Sequence, residues 1–229
     1  LQQNVMGTQA MMEAVLETQN RYHTIQRVVV QSSESVYGNA FPGLIREDAT
    51  LNPVNIYGAS KAAQELVARS YFHAHGLPVT IIRSSTLFGP DMRRNQVVTI
   101  FLRQAWRGLP ITVHGDGKQS RDFNFVSNAV DGILLVLQND AATGDVFNIA
   151  GNNEVSVKEL AGLCVQVTGS SSPVVHTAQR PGEQDLRLTP DISHAKKALG
   201  YEPQVAFEEG LALTAAHFEK VFREVAARH

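Results

Sequence analysis

The chain has very little cysteine, no surplus of positive charge and no long apolar run. The single cysteine, Cys164, cannot close an internal disulfide, and it lies in an apolar helical pattern suited to a buried thiol. A formal charge of −2 argues against a nucleic-acid protein, which would show a basic stripe. No stretch reaches the roughly 18 apolar residues of a membrane span, and no charged-then-apolar start marks a secretory signal, so the expected setting is cytoplasmic. Metal-ligand spacing is missing as well: His73 and His75 are two apart on a helical pattern and face apart. There is no Gly-x-Ser-x-Gly elbow, which argues against a hydrolase of that type. What remains is ordinary globular usage over 229 residues, 43% hydrophobic and 18% charged, enough for one α/β domain with or without a small lobe.

Elements alternate along the chain. Helical spacing over 2–17 leads to a β-branched run at 27–31, of the kind that fits a strand buried on both faces. A polar loop precedes a long helical pattern at 57–75, with Gly76 placed to end it. Further strands are expected at 79–83, 111–114 and 146–149, and further helices at 96–107, 127–137, 157–168, 192–199 and 207–227. Segment 170–183, rich in Ser, Pro and Gly, reads as a loop. Strand–helix alternation implies right-handed parallel crossovers in a doubly wound sheet.

Chemistry enters with Tyr57 and Lys61, four apart and so on one helix face. A free tyrosine ionises near about pH 10, and a neighbouring ammonium favours the phenolate. Such a tyrosine can take a proton from an alcohol as hydride leaves the carbon. Ser33 follows the 27–31 strand, and ligands gather beyond the carboxyl ends of strands in doubly wound sheets. A serine there can bond the same hydroxyl. Taken singly, each piece also fits a plain structural role: a solvated helix pair, or a capping serine in a loop.

Together they carry a resemblance. Segment 30–38, VQSSESVYG, followed by YGASK at 57–61, resembles the extended short-chain dehydrogenase/reductases, specifically their NAD-dependent sugar-nucleotide epimerases and dehydratases. Further motifs match in order: NVMGT at 4–8, RSSTLFGP at 83–90, ITVHGDG at 111–117 with SRDF at 120–123, FNIAG at 147–151, RPGE at 180–183 and DISHAKKALG at 191–200. The resemblance implies a partial Rossmann-type α/β fold over 1–150, with a substrate-lobe insertion near 90–125, and mainly a C-terminal substrate lobe over 151–229. It implies Tyr57 as base, Lys61 also holding the nicotinamide ribose, Ser33 orienting the substrate hydroxyl, and Asn4 and Ser85 lining an NAD or NADP cofactor. Arg121 and Arg180 would grip a nucleotide diphosphate, which suits the guanidinium fork. Thr112, Val113 and His114 would touch the base. Thr86 and Glu183 stand at substrate positions where the family more often has asparagine and aspartate. Ser127 and Asn128 replace a usual acidic residue. A homodimer through helices 2–17 and 57–75 is also implied.

The family's glycine-rich dinucleotide fingerprint is absent. Gly115 and Gly117 begin such a pattern, but no helix follows. Leu1 falls inside a helical pattern, so the expectation is a truncated chain without the family's first strands, with run 27–31 at an open sheet edge and weak NAD binding of its own. Dehydratases of the family carry a glutamate two residues before the Tyr-Gly tyrosine, where Ser35 stands here. Glu34, one residue earlier, is expected to face away, because neighbouring residues in a strand point to opposite faces. The favoured activity is therefore a 4-epimerase acting by transient oxidation of a sugar hydroxyl. The alternatives are a reductase or 4,6-dehydratase on a related sugar-nucleotide, and a non-catalytic truncated binding module.

Overall fold

A computed structural model of the protein describes residues 2–39, 43–179 and 187–226. After a π-helical turn at Gln2–Met6, helix α1 runs over Gly7–Tyr22, strand β1 over Val28–Ser33, and a 3-10 turn over Glu34–Val36. Helix α2 (Ile56–His75) begins where the Asn55 side chain accepts the Gly58 N–H at 2.8 Å, and it ends at Gly76 in the left-handed conformation. Strand β2 (Val79–Ser84) and the short β3 (Thr86–Phe88) follow, then α3 (Val97–Trp106), β4 (Ile111–His114), β5 (Ser120–Arg121), β6 (Phe123–Phe125) and α4 (Val126–Gln138). The chain continues with β7 (Val146–Ile149), β8 (Val155–Ser156), α5 (Val157–Thr168), β9 (Val174–Thr177), β10 (Arg187–Leu188), α6 (Ser193–Leu199) and α7 (Phe207–Ala226).

The main sheet has the order β1-β2-β7, parallel throughout. Its residues alternate in what they bury. Val28, Val30, Val79 and Ile81 pack with Met12 of α1 and Ala68 of α2 on one face. Val29, Ile82, Phe147 and Ile149 pack with Val136 of α4 and with Ala195 and Leu199 of α6 on the other. Both faces are covered, which is why the strand sequences are continuous apolar runs rather than alternating ones. Strand β1 lies at one edge of this sheet. A second core joins α3, β4, β6, α5 and α7 around Phe101, Leu102, Phe123, Leu160 and Phe207.

Three sequence expectations shift. Strand β1 continues through Ser32 and Ser33 rather than stopping at Gln31. Segment 170–183 is not simply a loop: its residues Val174–Thr177 form β9, parallel to β4. The small strands β3, β5, β6, β8 and β10, each two or three residues long, are too short to show a period.

One charged residue interrupts the apolar run of β2. Arg83 is 2% exposed, and its guanidinium bonds both carboxylate oxygens of Glu65 on α2, itself 1% exposed, the closest contact being 2.7 Å. It also donates to the Tyr37 hydroxyl at 3.0 Å and the Glu47 carbonyl at 2.9 Å. Ser32 of β1 donates to the same Glu65 carboxylate, so one carboxylate joins β1, β2 and α2. Replacing Glu65 by alanine strands a buried guanidinium, and its expected cost is about 3–5 kcal/mol. Urea unfolding reads it; a cost under about 1 kcal/mol would show the pair to be dispensable.

Candidate functional site

The carboxyl end of β1 and the first two turns of α2 meet at one corner. Ser33 closes β1; its Oγ accepts the Ser35 N–H and donates to Ser35 Oγ, both at 3.2 Å. Tyr57, one residue into α2, is 52% exposed, an open position for a large aromatic side chain that carries a hydroxyl. Lys61 is half-buried. Its Nζ donates to the Gln31 carbonyl at 2.6 Å and to Gln64 Oε1 at 2.8 Å. Burial lowers its pKa from the ordinary lysine value, and Glu65 opposes that shift. Asn4, in the π-helical turn, donates from its amide to Ser60 Oγ at 2.8 Å, and Ser60 donates to the Tyr57 carbonyl at 2.7 Å. Gln64 donates to Thr8 of α1 at 2.9 Å. Ser33, Tyr57, Lys61 and Asn4 thus share one corner, with Asn4 tied to the turn of α2 that lies between Tyr57 and Lys61.

Close backbone approach makes this corner. A Cβ added at Gly58 would lie 2.4 Å from the Ser35 carbonyl oxygen and 3.1 Å from Pro53 Cβ. Helix α2 can therefore press its first turn against the 3-10 turn only because residue 58 has no side chain.

A second group of expected residues surrounds a cavity of about 560 Å³ between α3, β4 and β5. Thr86, Thr112, His114 and Arg121 line it, with Gln104 and Gln119. The Gln104 amide donates to Thr112 Oγ1 at 3.4 Å, and His114 Nδ1 lies 2.9 Å from Thr177 Oγ1. Val113 does not line the cavity. It is fully buried in the second core, because residues of a strand alternate and its neighbours Thr112 and His114 take the cavity side. Arg180 and Glu183 lie outside the described residues.

Ser85 and Thr86 connect the corner to the cavity. The Ser85 hydroxyl is committed to Asp122, which is fully buried and also accepts the backbone N–H groups of Gly151 at 2.7 Å and Asn153 at 2.9 Å. Burial raises the pKa of Asp122, while these four-way contacts with Ser85, Asn153, Gly151 and Asn152 pull it back. Thr86 donates to Glu34 Oε1 at 3.0 Å. This corrects the expectation that Glu34 faces away. The strand ends at Ser33, and Glu34 opens a 3-10 turn, so strand alternation no longer governs its direction. Asp122 and Arg83 escaped notice in the sequence. Arg83 is signalled only by a charge that ends the apolar run at IIRS, a pattern that demands a buried partner without naming it, and Asp122, beside Arg121, carries no such signal. Asn128, read as a lost acidic residue, is structural: it holds the Gln204 and Val205 N–H groups and the Val205 carbonyl. Among the described residues no group of three or more His, Cys, Asp or Glu could hold a metal, and no helix is long and apolar enough to cross a membrane.

Alanine normally stabilises a helix relative to glycine, by up to about 1 kcal/mol. At Gly58 the sign should invert. The Gly58→Ala protein is expected to lose about 1–3 kcal/mol, read as a lower urea midpoint, and a gain in stability would show that α2 does not press on the Ser35 carbonyl.

The family model for GDP-mannose 4,6-dehydratase matches residues 1–214. An uncharacterized UDP-glucose epimerase, YtcB, of Bacillus subtilis (strain 168) is 31% identical over 220 residues, covering 96% of this chain and 67% of its own. A dTDP-glucose 4,6-dehydratase of an Actinoplanes species is 33% identical, covering 94% and 65%. The chain thus spans about two thirds of the length of these curated relatives. Among solved structures, the UDP-glucuronic acid 4-epimerase of Bacillus cereus in complex with UDP-glucuronic acid and NAD superposes with a TM-score of 0.87 at 27% identity, covering 95% of this chain and 68% of that one. The dTDP-glucose 4,6-dehydratase DesIV of Streptomyces venezuelae, with NAD bound, gives 0.86 at 33%, covering 95% and 66%. With a family model matched over most of its length and these likenesses in sequence and fold, the chain belongs to the NAD-dependent epimerase/dehydratase group of extended short-chain dehydrogenases/reductases.

Proposed function

We propose that the chain carries the catalytic corner and the substrate cavity of a nucleotide-sugar 4-epimerase that uses NAD. The observation that carries this reading is the corner itself: Ser33, an exposed Tyr57 and Lys61 at the carboxyl end of β1. The corner suits a nicotinamide cofactor, since Lys61 is held half-buried by a main-chain carbonyl while Tyr57 stays about half exposed beside it. NAD, when bound, supplies the hydride acceptor for the sugar carbon and later returns the hydride. Tyr57 takes the proton from the sugar 4-hydroxyl and gives it back after the keto sugar has turned its other face. Ser33 bonds the same oxygen and orients it. Lys61 supplies positive charge on the Tyr57 face of α2. Arg121, at the cavity wall, is the counter-charge for the nucleotide diphosphate, Arg180 a further one, and Thr112 and His114 meet the nucleotide.

A second reading, the 4,6-dehydratase, gains one observation. Glu34 is an acid beside the cavity wall, whereas strand alternation would have turned it away. The epimerase remains favoured because Ser35, at the position of the dehydratase glutamate, is a hydroxyl bonded to Ser33. We also place the protein in the cytoplasm as a homodimer through α1 and α2. Met6, Ile56 and Leu66, on or beside these helices, are exposed apolar side chains consistent with a helical interface.

Proton NMR of UDP-glucose and dTDP-glucose incubated with the protein and NAD tests the reading. Inversion at C4 with no net NADH supports the epimerase. Loss of water supports the dehydratase. Absence of both NAD binding and turnover supports the non-catalytic module. In the active protein Tyr57→Phe should lower kcat by about 10²–10⁴-fold, while NAD affinity changes little. A variant that keeps most of its turnover would remove Tyr57 from the role of base.

A further inference from the structure

The carboxyl of Glu34 sits where a charge is hard to keep. The residue is 2% exposed. One of its oxygens accepts the Thr86 hydroxyl, and the other, Oε2, has no hydrogen-bond partner among the described residues. Three groups face it: Thr86 from β3, Arg121 from β5, and Asp122 between β5 and β6. Asp122 has the stronger claim to the local negative charge, since Ser85, Gly151 and Asn153 all donate to it. Of two buried carboxyls that feel each other, the one with fewer donors keeps the proton. Glu34, with one donor, is that group. Burial first and the Asp122 charge second push its pKa up to about 8, against the pull of Arg121 and Thr86.

The state of Glu34 bears on Thr86, whose hydroxyl has one proton to give. An ionised Glu34 only accepts, so it takes that proton and leaves Thr86 with nothing to donate to a ligand. A neutral Glu34 can itself donate to Thr86 Oγ1, and the Thr86 proton is then free to turn into the cavity that Thr86 lines. We infer that Glu34 is a positioning residue for the substrate cavity: as an uncharged carboxyl it holds the Thr86 hydroxyl at the wall, its proton available to a sugar oxygen. The inference rests on the nucleotide-sugar reading above and goes beyond it by naming what Thr86 offers the sugar and what sets it.

Glu34→Gln provides the test, because its amide donates to Thr86 at every pH and cannot ionise. Affinity for UDP-glucose and dTDP-glucose, by titration calorimetry, and KM and kcat are measured from pH 6 to pH 9 for the wild-type protein, Glu34→Gln and Thr86→Val. In the wild type, Kd and KM should rise about 10-fold as pH passes through about 8, with kcat changing less. Glu34→Gln should hold Kd and KM flat, and Thr86→Val should be weak at every pH. A rise unchanged in Glu34→Gln, or equal losses of kcat and affinity in that variant at all pH, overturns the inference. Thermal unfolding gives an arm that needs no substrate. The folded pKa lies above the ordinary glutamate value, so the contribution of Glu34 is full below that ordinary value and is lost as pH rises through about 8. The wild type should therefore lose unfolding temperature relative to Glu34→Gln across that window. Parallel unfolding curves overturn the inference alone. Unfolding curves that diverge while neither sugar-nucleotide binds overturn the nucleotide-sugar reading, and the role assigned to Thr86 with it.

Discussion

The buried pair of Arg83 and Glu65 is the constraint on which the corner of Ser33, Tyr57 and Lys61 depends. Burial works against the Arg83 charge, but Glu65 and Tyr37 more than offset it, and its pKa stays above the ordinary arginine value. The guanidinium also lies 4.9 Å from the centre of the Tyr37 ring. Tyr37, its own pKa pushed up to about 12 by burial, passes the network on by donating to Asn148 of β7. A network of this kind contributes more to geometry than to net stability, because desolvation consumes most of its attraction. Its geometric effect is specific. Glu65 is one turn beyond Lys61 and two beyond Tyr57 on α2, so fixing Glu65 against β1 and β2 fixes the rotation of the helix. Tyr57 and Lys61 then come to the same end of the sheet as Ser33.

The long elements were legible in the sequence because each repeats one signal many times. The apolar runs of β1, β2 and β7 and the helical spacing of α2 and α5 say how each segment is buried, and these strands form the sheet in order. The Tyr57–Lys61 spacing and Ser33 likewise led to one corner. The errors have local causes. Val113 was grouped with Thr112 and His114 as a motif, and strand alternation separates them, two to the cavity and one to the core. Glu34 was assigned by that same alternation where the backbone had left the strand for a 3-10 turn. Alternation decides direction only while extended geometry persists, and no residue in SSES marks where it stops. The partners of Arg83 and Asp122 stand 18 or more residues away in sequence. A local pattern shows that such a charge needs a partner, and only the fold supplies one.

Two structural bodies meet at the site, and one of the stretches that connect them runs past it. The corner of Ser33, Tyr57 and Lys61 belongs to β1 and α2, whose core is shared with α1 and the sheet. The cavity belongs to α3, β4 and β5, whose core is the aromatic cluster of Phe88, Phe123 and Phe207. Between them run Ser84, Ser85 and Thr86, the link from β2 to β3. Each has a hydroxyl bonded to a different part: Ser84 to Gln31 of β1 at 2.6 Å, Ser85 to Asp122, and Thr86 to Glu34. Gln31 in turn gives its carbonyl to Lys61. The link is therefore not a passive connection. Through Ser84 and Gln31 it touches the lysine of the corner, and through Ser85 and Asp122 it fixes the strand that carries Arg121.

This arrangement places a requirement on any reaction carried out here. A sugar oxidised at the corner while its nucleotide is held in the cavity must span the link, so the distance between Tyr57 and Arg121 has to stay constant through the reaction. Flexible loops could not ensure that. Buried hydroxyl contacts between two packed cores can, because each lost contact leaves a desolvated polar atom and costs about 1–3 kcal/mol. The same reasoning explains why the link holds three hydroxyl side chains in a row at a point where apolar residues would pack as well. Apolar residues would fill the space without direction, whereas hydrogen bonds set a single register. Thr86 differs from its two neighbours in being only half-buried, at the cavity wall. It is the place where the register that holds the two bodies together reaches the cavity.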